Sequence, residues 1–288
     1  MKTLVSEGFS VKEACFGVGI SRSRYYELLK EQSSNNKTSR RKKEDEAEIV
    51  KKIEAIKIEH PFWGYRRVWA WLQHREGIKM NPKRVYRIMK EAGLLGEVKR
   101  CKAKRTSGRS KPRANRPRQY WGIDMTKFWI ENFGWAYLVV VMDWYTKEIV
   151  GFDVSMRSRT EEWLSALEQG LNKKFPEGVR GKGLCLVSDN GSQPTSKKFV
   201  SEMKNLQIKQ ILTSYSNPKG NAETERMIRT IKEELIWISE FRNLIEAKDR
   251  IGDWIRRYNR EYVHSALSYM SPEKFEARYY EGRYREAA

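Results

Sequence analysis

The chain has 288 residues, of which 57 are Lys or Arg and 37 are Asp or Glu, a formal charge of +20. At 39% hydrophobic, with 10 Trp, 14 Tyr and 10 Phe, it holds apolar material for about two folded domains and is not a disordered polymer. No apolar run approaches the ~20 residues that cross a bilayer, the N-terminus carries no signal-peptide core, and three dispersed cysteines (Cys15, Cys101, Cys185) make no disulfide framework. The expectation is a basic protein of the reducing cytoplasm, with no membrane partner and with a polyanion, nucleic acid above all, as its ligand. His60, His74 and His264 are too scattered to form a zinc site with those cysteines.

Residues 1–31 read as a small helical unit. Ser10 and Glu13 have capping-box spacing, Gly17 and Gly19 break the chain, and Ser21 is placed to cap a second helix through Tyr25, Tyr26 and Leu29. Two helices about a glycine turn suggest a helix-turn-helix, with Arg22 and Arg24 turned to DNA; an ordinary helical hairpin is the alternative. Residues 32–45 are polar without apolar periodicity and are expected to be a linker. A second helix-turn-helix-like unit is expected over 46–96. In it Asn81 caps a helix with Pro82 at its first position, and Gly93 closes it. Val85, Ile88 and Met89 share one face, leaving Arg84, Arg87 and Lys90 on a cationic one that suits phosphates, or is simply solvated.

From Lys99 to Arg118, ten of twenty residues are basic and none is acidic. Such a stretch repels itself, so 97–118 is expected to be a linker or a DNA-tracking arm, with Lys102, Lys104, Arg105 and Arg113 among its phosphate contacts.

The character then changes. Trp121–Ile130 and Trp135–Tyr145 are aromatic and β-branched runs about the turn signal Glu131-Asn132-Phe133-Gly134, and a third strand is expected over Ile149–Val154. A helix containing Trp163, Leu164, Leu167 and Leu171 follows, then a strand at Leu184–Ser188 and a helix at Lys197–Leu206. A strand at Ile208–Thr213 and a helix over Asn221–Ile236 complete the pattern. Three hairpin-linked strands followed by alternating helices and strands imply an α/β domain, a mixed five-stranded sheet flanked by helices, over residues 119–276, with a tail at 277–288.

Three acidic residues fall at telling places. Asp124 interrupts an apolar strand. Asp189 follows a strand end, where α/β proteins gather ligand groups; an Asx turn before Asn190-Gly191 is the alternative. Glu225 lies in the first turns of a helix, where an acid is favourable in any case. Taken singly, each has an ordinary explanation. Together, two strand carboxylates and one helix carboxylate suit a pair of hard divalent cations, Mg²⁺ or Mn²⁺, for phosphodiester chemistry. Asp143 and Asp153, on neighbouring strands, are competitors that read as structural or turn acids.

Trp121-Gly122-Ile123-Asp124-Met125-Thr126, Ser188-Asp189-Asn190-Gly191-Ser192-Gln193 and Gly220-Asn221-Ala222-Glu223-Thr224-Glu225 resemble the three blocks of the DDE transposase and retroviral-integrase core. Thirty-five residues separate Asp189 from Glu225, the interval of the D,D-35-E signature, and Lys232 matches the basic residue that follows the family's glutamate. Tyr258-Asn259 with His264, Leu267, Ser271-Pro272 and Phe275 is similar to the C-terminal block of insertion-sequence transposases of the IS-three family, second-frame (OrfB) type. His60-Pro61-Phe62-Trp63-Gly64-Tyr65-Arg66-Arg67 and Val85-Tyr86-Arg87-Ile88-Met89 are similar to the helix-turn-helix before that core.

The resemblance implies an RNase H-like fold and metal-dependent DNA cleavage and strand transfer. Asp124 bridges two Mg²⁺ or Mn²⁺ ions, and Asp189 and Glu225 complete one site each. It also implies DNA contacts from Lys232, Arg66 and Arg67, with element ends and target DNA as ligands. A homo-oligomer, at least a dimer on paired ends, is implied, and a first-frame protein or fusion is admitted as partner. Glu223 stands where the family is usually uncharged; residues two apart on a helix diverge, so Glu225 is the expected ligand. A nuclease on the same fold, a catalytically silent DNA-binding repressor and an RNA-binding protein are the rival readings. The intact acidic triad and the lack of an RNA-recognition aromatic signature disfavour the last two.

Overall fold

The structure is a computed structural model that describes residues 8–96, 112–213 and 220–287; side chains at 29–45 and 283–287 stand outside the description. Its contacts gather into two compact units. One takes the chain up to Glu59 together with Asn81–Leu95, and the other takes His60–Met80 and the chain from Gly96 onward.

In the first unit, α1 (Val11–Val18) begins at a capping box in which Ser10 and Glu13 bond each other reciprocally, and Gly19 ends it in the left-handed region at φ 73°. The Ser21 hydroxyl accepts from the Arg24 N–H at the start of α2 (Arg22–Glu59). That helix corrects an expectation: it runs unbroken through the linker assigned to 32–45. No Gly or Pro lies between Arg22 and Glu59, and Lys, Arg and Glu are good helix formers, so the backbone continues without an apolar stripe to hold it. Helix α4 (Pro82–Glu91) starts as expected, with Asn81 Oδ1 accepting from the Lys83 N–H, and it buries Val85, Ile88 and Met89.

The second unit holds a five-stranded sheet in the order β3-β2-β1-β4-β5. β1 (Tyr120–Ile130), β2 (Gly134–Asp143) and β3 (Ile149–Ser155) form an antiparallel meander, while β4 (Cys185–Ser188) and β5 (Lys209–Leu212) run parallel to β1. Strand alternation sends Trp121, Ile123 and Met125 to one face and Gly122, Asp124, Thr126 and Phe128 to the other. The first face forms the main core: Trp121, Ile123, Val139 and Val141 pack with Trp163 and Leu167 of α5 (Thr160–Lys174) and Phe199 and Met203 of α6 (Lys197–Asn205). The second is covered by α7 (Ala222–Glu234) against β1 and β2 and by α8 (Leu244–Glu261) against β3. Asn259 of α8 holds the start of β3 from both sides: it accepts from the Ile149 N–H and donates to the Ile149 carbonyl. The sequence reading assigned no element between Ile236 and Tyr258, the region where α8 lies.

Two further expectations are corrected. The tail expected at 277–288 belongs to α9 (Pro272–Ala287) as far as Ala287, because Glu276 on that helix is tied inward. Lys174 donates at 2.5 Å to both Glu276 and Glu148, and Lys173 adds a bond to Glu148 at 2.9 Å. Burial works against the Lys174 charge, yet the two carboxylates hold the ammonium above the usual lysine range. Arg118, assigned to the basic arm, is likewise part of the core. Its N–H donates to Asp143 at 2.6 Å, and its guanidinium reaches Glu276 at 3.3 Å while lying over the Phe175 and Tyr280 rings. Asp143 also accepts from Trp121, Tyr145 and Thr146, so it is a buried structural acid, as expected.

Removing one partner of a buried ion cluster leaves uncompensated charge and costs about 3–5 kcal/mol. Lys174→Ala is expected to lose that much in denaturant unfolding. Lys198→Ala, which breaks an exposed pair with Glu161, should change stability by less than ~1 kcal/mol.

Candidate active site

The site begins where two strands part. β4 pairs with β1 only over Tyr120–Gly122, so β1 leaves it just before Asp124, and β4 ends at Ser188, just before Asp189. Asp124 Oδ1 accepts from the Met125 N–H at 2.7 Å, which fixes its carboxylate. Asp189 Oδ1 accepts from the Gly191 N–H at 3.0 Å, the Asx turn anticipated from sequence, and the residue is exposed. The turn orients the carboxylate without burying it.

Glu225 lies exposed in the first turn of α7, and that helix is brought onto the sheet by a close approach at Gly122. A Cβ on Gly122 would lie 1.9 Å from Thr224 Oγ1 and 2.4 Å from Trp144 Nε1, so any larger residue excludes the helix. Those two atoms bond each other: the Trp144 indole donates to Thr224 at 3.1 Å. Asn221, just before α7, donates to the Ile123 carbonyl at 3.3 Å and secures the helix start to the same strand. Glu223 turns aside and pairs with Lys147 at 2.9 Å.

The Asp124 carboxylate on β1 lies within electrostatic reach of Asp189 at the β4 end and Glu225 on α7. Burial pushes Asp124 up from 3.8 to about 7, the Met125 N–H opposes this, the charges of Asp189 and Glu225 push it further, and Lys232 pulls it back. Of the acids expected from sequence, Asp124, Asp189 and Glu225 are therefore near neighbours, with Lys232, seven residues along α7, beside them. Among the described residues no group of three or more His, Cys, Asp or Glu side chains already stands at metal-holding spacing. What the arrangement offers a divalent cation is a set of hard oxygen donors, two of them exposed, whose negative charge a cation relieves. The donor chemistry fits Mg²⁺ or Mn²⁺.

The far end of α7 is gripped by a cluster that the sequence reading did not find. Glu234 Oε1 accepts from the Trp63 indole at 2.9 Å and from the Tyr262 hydroxyl at 2.8 Å, and the His60 imidazole stands 3.4 Å from its other oxygen. Arg67 donates to the Tyr262 hydroxyl at 2.7 Å and lies over its ring. These contacts explain why the expected 46–96 unit divides: α3 (Tyr65–His74) and its leading turn are bonded to α7 and α8. Arg67, expected at DNA, is spent inside the protein, whereas Arg66 is exposed. His264 packs against the Tyr258 and Tyr262 rings, and burial drives it down to about 3, so it is neutral near pH 7, a packing histidine.

The other expected DNA contacts are spread out. Arg22, Arg24, Lys90 and Arg113 are exposed. Arg84 and Arg87 converge on Glu46, at 3.4 and 2.6 Å, which neutralises part of the cationic face of α4. Lys102, Lys104 and Arg105 lie outside the described residues.

Comparison with known proteins agrees in order and extent. An HTH-like domain family matches residues 43–102, and integrase core domain families match 114–218 and 206–272. The chain is 32% identical over 239 residues to the transposase for insertion sequence element IS904 of Lactococcus lactis subsp. lactis, covering 78% of this chain and 92% of that one. It is 30% identical over 264 residues to InsK of insertion sequence element IS150 of Escherichia coli, covering 88% of each. It is 24% identical over 280 residues to the Escherichia coli transposase InsD for insertion element IS2, covering 95% and 93%.

The elevated Asp124 gives a pH-dependent prediction. An acid whose folded value exceeds its unfolded one holds its proton more tightly when folded, so its ionisation removes stability as pH rises from about 4 through 7. Three pKa units set an upper bound of ~4 kcal/mol, reduced by solvent screening. Asp124→Asn in EDTA should therefore melt several degrees above wild type at pH 8 and level with it at pH 4. A pH-independent difference would contradict the assignment.

Proposed function

The chain belongs to the insertion-sequence transposases built on a DDE integrase core, and we propose that Asp124, Asp189 and Glu225 carry its DNA cleavage and strand transfer with divalent metal ions. The observation that carries this reading is that Asp189 and Glu225, delivered from the β4 end and α7 at the spacing the family uses, come within electrostatic reach of Asp124 on β1. Asp124, fixed by the Met125 N–H, and the exposed Asp189 and Glu225 would hold the divalent ions through their carboxylate oxygens. Divalent ions held there, Mg²⁺ or Mn²⁺, would supply activation of an attacking oxygen and stabilisation of the leaving one.

This chain's own residues then position DNA. Lys232, on the Glu225 face of α7, meets a phosphate of the element end near the scissile bond. In the first step a water oxygen bonds to phosphorus and the 3′ oxygen leaves, freeing a 3′-OH at the element end. In the second, that 3′-OH bonds to a target phosphorus and a target 3′ oxygen leaves. Each step exchanges one P–O bond for another, so no serine or tyrosine nucleophile and no protein–DNA bond is required. Arg22, Arg24, Arg66, Lys90 and the basic segment 97–117 supply salt-sensitive affinity for duplex DNA. Pairing of two ends calls for at least a dimer on DNA, with a first-frame protein or fusion as a further partner.

The test combines purified protein, a labelled end of the native element and a target plasmid, in Mg²⁺, Mn²⁺ or EDTA. Joined product should require metal, and Asp189→Asn should lower it ~10²-fold or more. Nicked product without joining would favour a nuclease. Binding with neither product would favour a DNA-binding repressor.

A further inference from the structure

Along β1 beyond Asp124 lies a cavity of ≈ 590 Å³ that the strand-transfer chemistry leaves unused. Its walls include Lys127, Trp129 and Trp135 from the β1–β2 hairpin, Lys232 near the end of α7, and Trp237 and Phe241 from the segment that follows. The volume falls within the ~300–1,000 Å³ of ordinary small-ligand pockets.

The three tryptophans are left largely in water: Trp129 is 58% exposed, Trp135 48% and Trp237 62%. Exposed aromatic surface on this scale marks an interaction site. Trp129 and Trp135 are cross-strand partners that meet edge to face at 5.4 Å, a rigid pair, and Lys127 Nζ lies 4.4 Å from the Trp135 ring centre. The cavity shares one residue with the surroundings of the acidic site: Lys232, whose charge acts on Asp124, belongs to its wall. A strand of DNA leaving the acidic site toward Lys232 therefore reaches this pocket within a few nucleotides.

We propose that the pocket binds unpaired nucleobases of the DNA strand adjoining the reacting phosphodiester, stacked on Trp129, Trp135 and Trp237 with their phosphates on Lys127 and Lys232. This rests on the transposase reading. Bases in an intact duplex offer no free π-face, so the ligand is single-stranded or locally opened DNA. Glu131 and Glu240 also line the cavity, so its affinity derives from stacking more than from net charge. A second copy of the chain is the rival occupant; the two lysines, one of them also acting on Asp124, favour nucleic acid.

The experiment uses the full chain, a short single strand carrying 2-aminopurine, and a fully paired duplex. Stacking on an aromatic side chain is lost by alanine substitution, so Trp237→Ala and Trp129→Ala should each weaken single-strand binding roughly five- to a hundred-fold. They should also relieve the fluorescence quenching and leave duplex affinity within about two-fold. Unchanged single-strand affinity in both folded variants would overturn the pocket. So would a loss of self-association without a loss of single-strand binding, which would reassign the surface to a second copy. The two readings fail separately: tryptophan-dependent single-strand binding in a protein that forms no joined product would keep the pocket and remove the transposase chemistry. A wild type that binds neither DNA would remove both.

Discussion

The acidic site depends on how closely the N-terminus of α7 comes to β1. A helix bearing side chains usually stands off a sheet, yet here Asn221 bonds to the Ile123 carbonyl of β1 and Thr224 to Trp144 in the turn after β2, over the bare Gly122 backbone. The contact sets where Glu225 stands relative to Asp124. Its energy comes from ordinary terms, two buried hydrogen bonds and apolar packing, of about 1 kcal/mol per bond. Its precision comes from sterics: one methyl group on Gly122 cannot be accommodated without moving the helix. Gripping α7 at its other end, through Glu234, keeps both ends of the helix in register with the chain that precedes the core.

A basic protein must keep an acidic cleft folded, and the structure handles charge in two ways. In the cleft, Asp124 is held by one N–H and repelled by Asp189 and Glu225, a destabilising arrangement that a divalent cation reverses. Elsewhere buried carboxylates are surrounded by donors and serve as tethers. Asp143 has four N–H partners, Glu234 two donors with an imidazole beside them, and Glu148 and Glu276 share Lys174. The candidate metal ligand has a single N–H donor, whereas each of these tethers has at least two, although Glu234 Oε2 has no hydrogen-bond partner.

Much of this is legible in the sequence because it is local. The capping box at Ser10, the Asn81-Pro82 helix start, the hairpin turn at Asn132–Gly134 and the alternation that sends Trp121 and Ile123 to the core follow from short-range rules. The acidic trio is legible through type, order and spacing. Less legible are features made by distant residues. Nothing near Trp63 in sequence points to Glu234, 171 residues away, so Arg67 reads as a DNA contact until Tyr262 is seen to hold it. The helix through 32–45 and the integration of Arg118 and α9 fail similarly: polarity suggests linker, while backbone continuity or a buried partner decides otherwise. Gly122 did carry a signal, since glycine inside a strand marks close approach of another backbone or ligand, but the approaching element cannot be read from the strand alone.

The most direct test of the central claim is metal-dependent thermal stabilisation of Gly122→Ala. If the contact over Gly122 builds the acidic site, the variant unfolds cooperatively in EDTA because the main core on the opposite face is intact. It then gains little or nothing in melting temperature on adding Mn²⁺, under conditions in which wild type gains several degrees. A variant that gains as much as wild type would show that the site assembles without this contact, and would contradict the account.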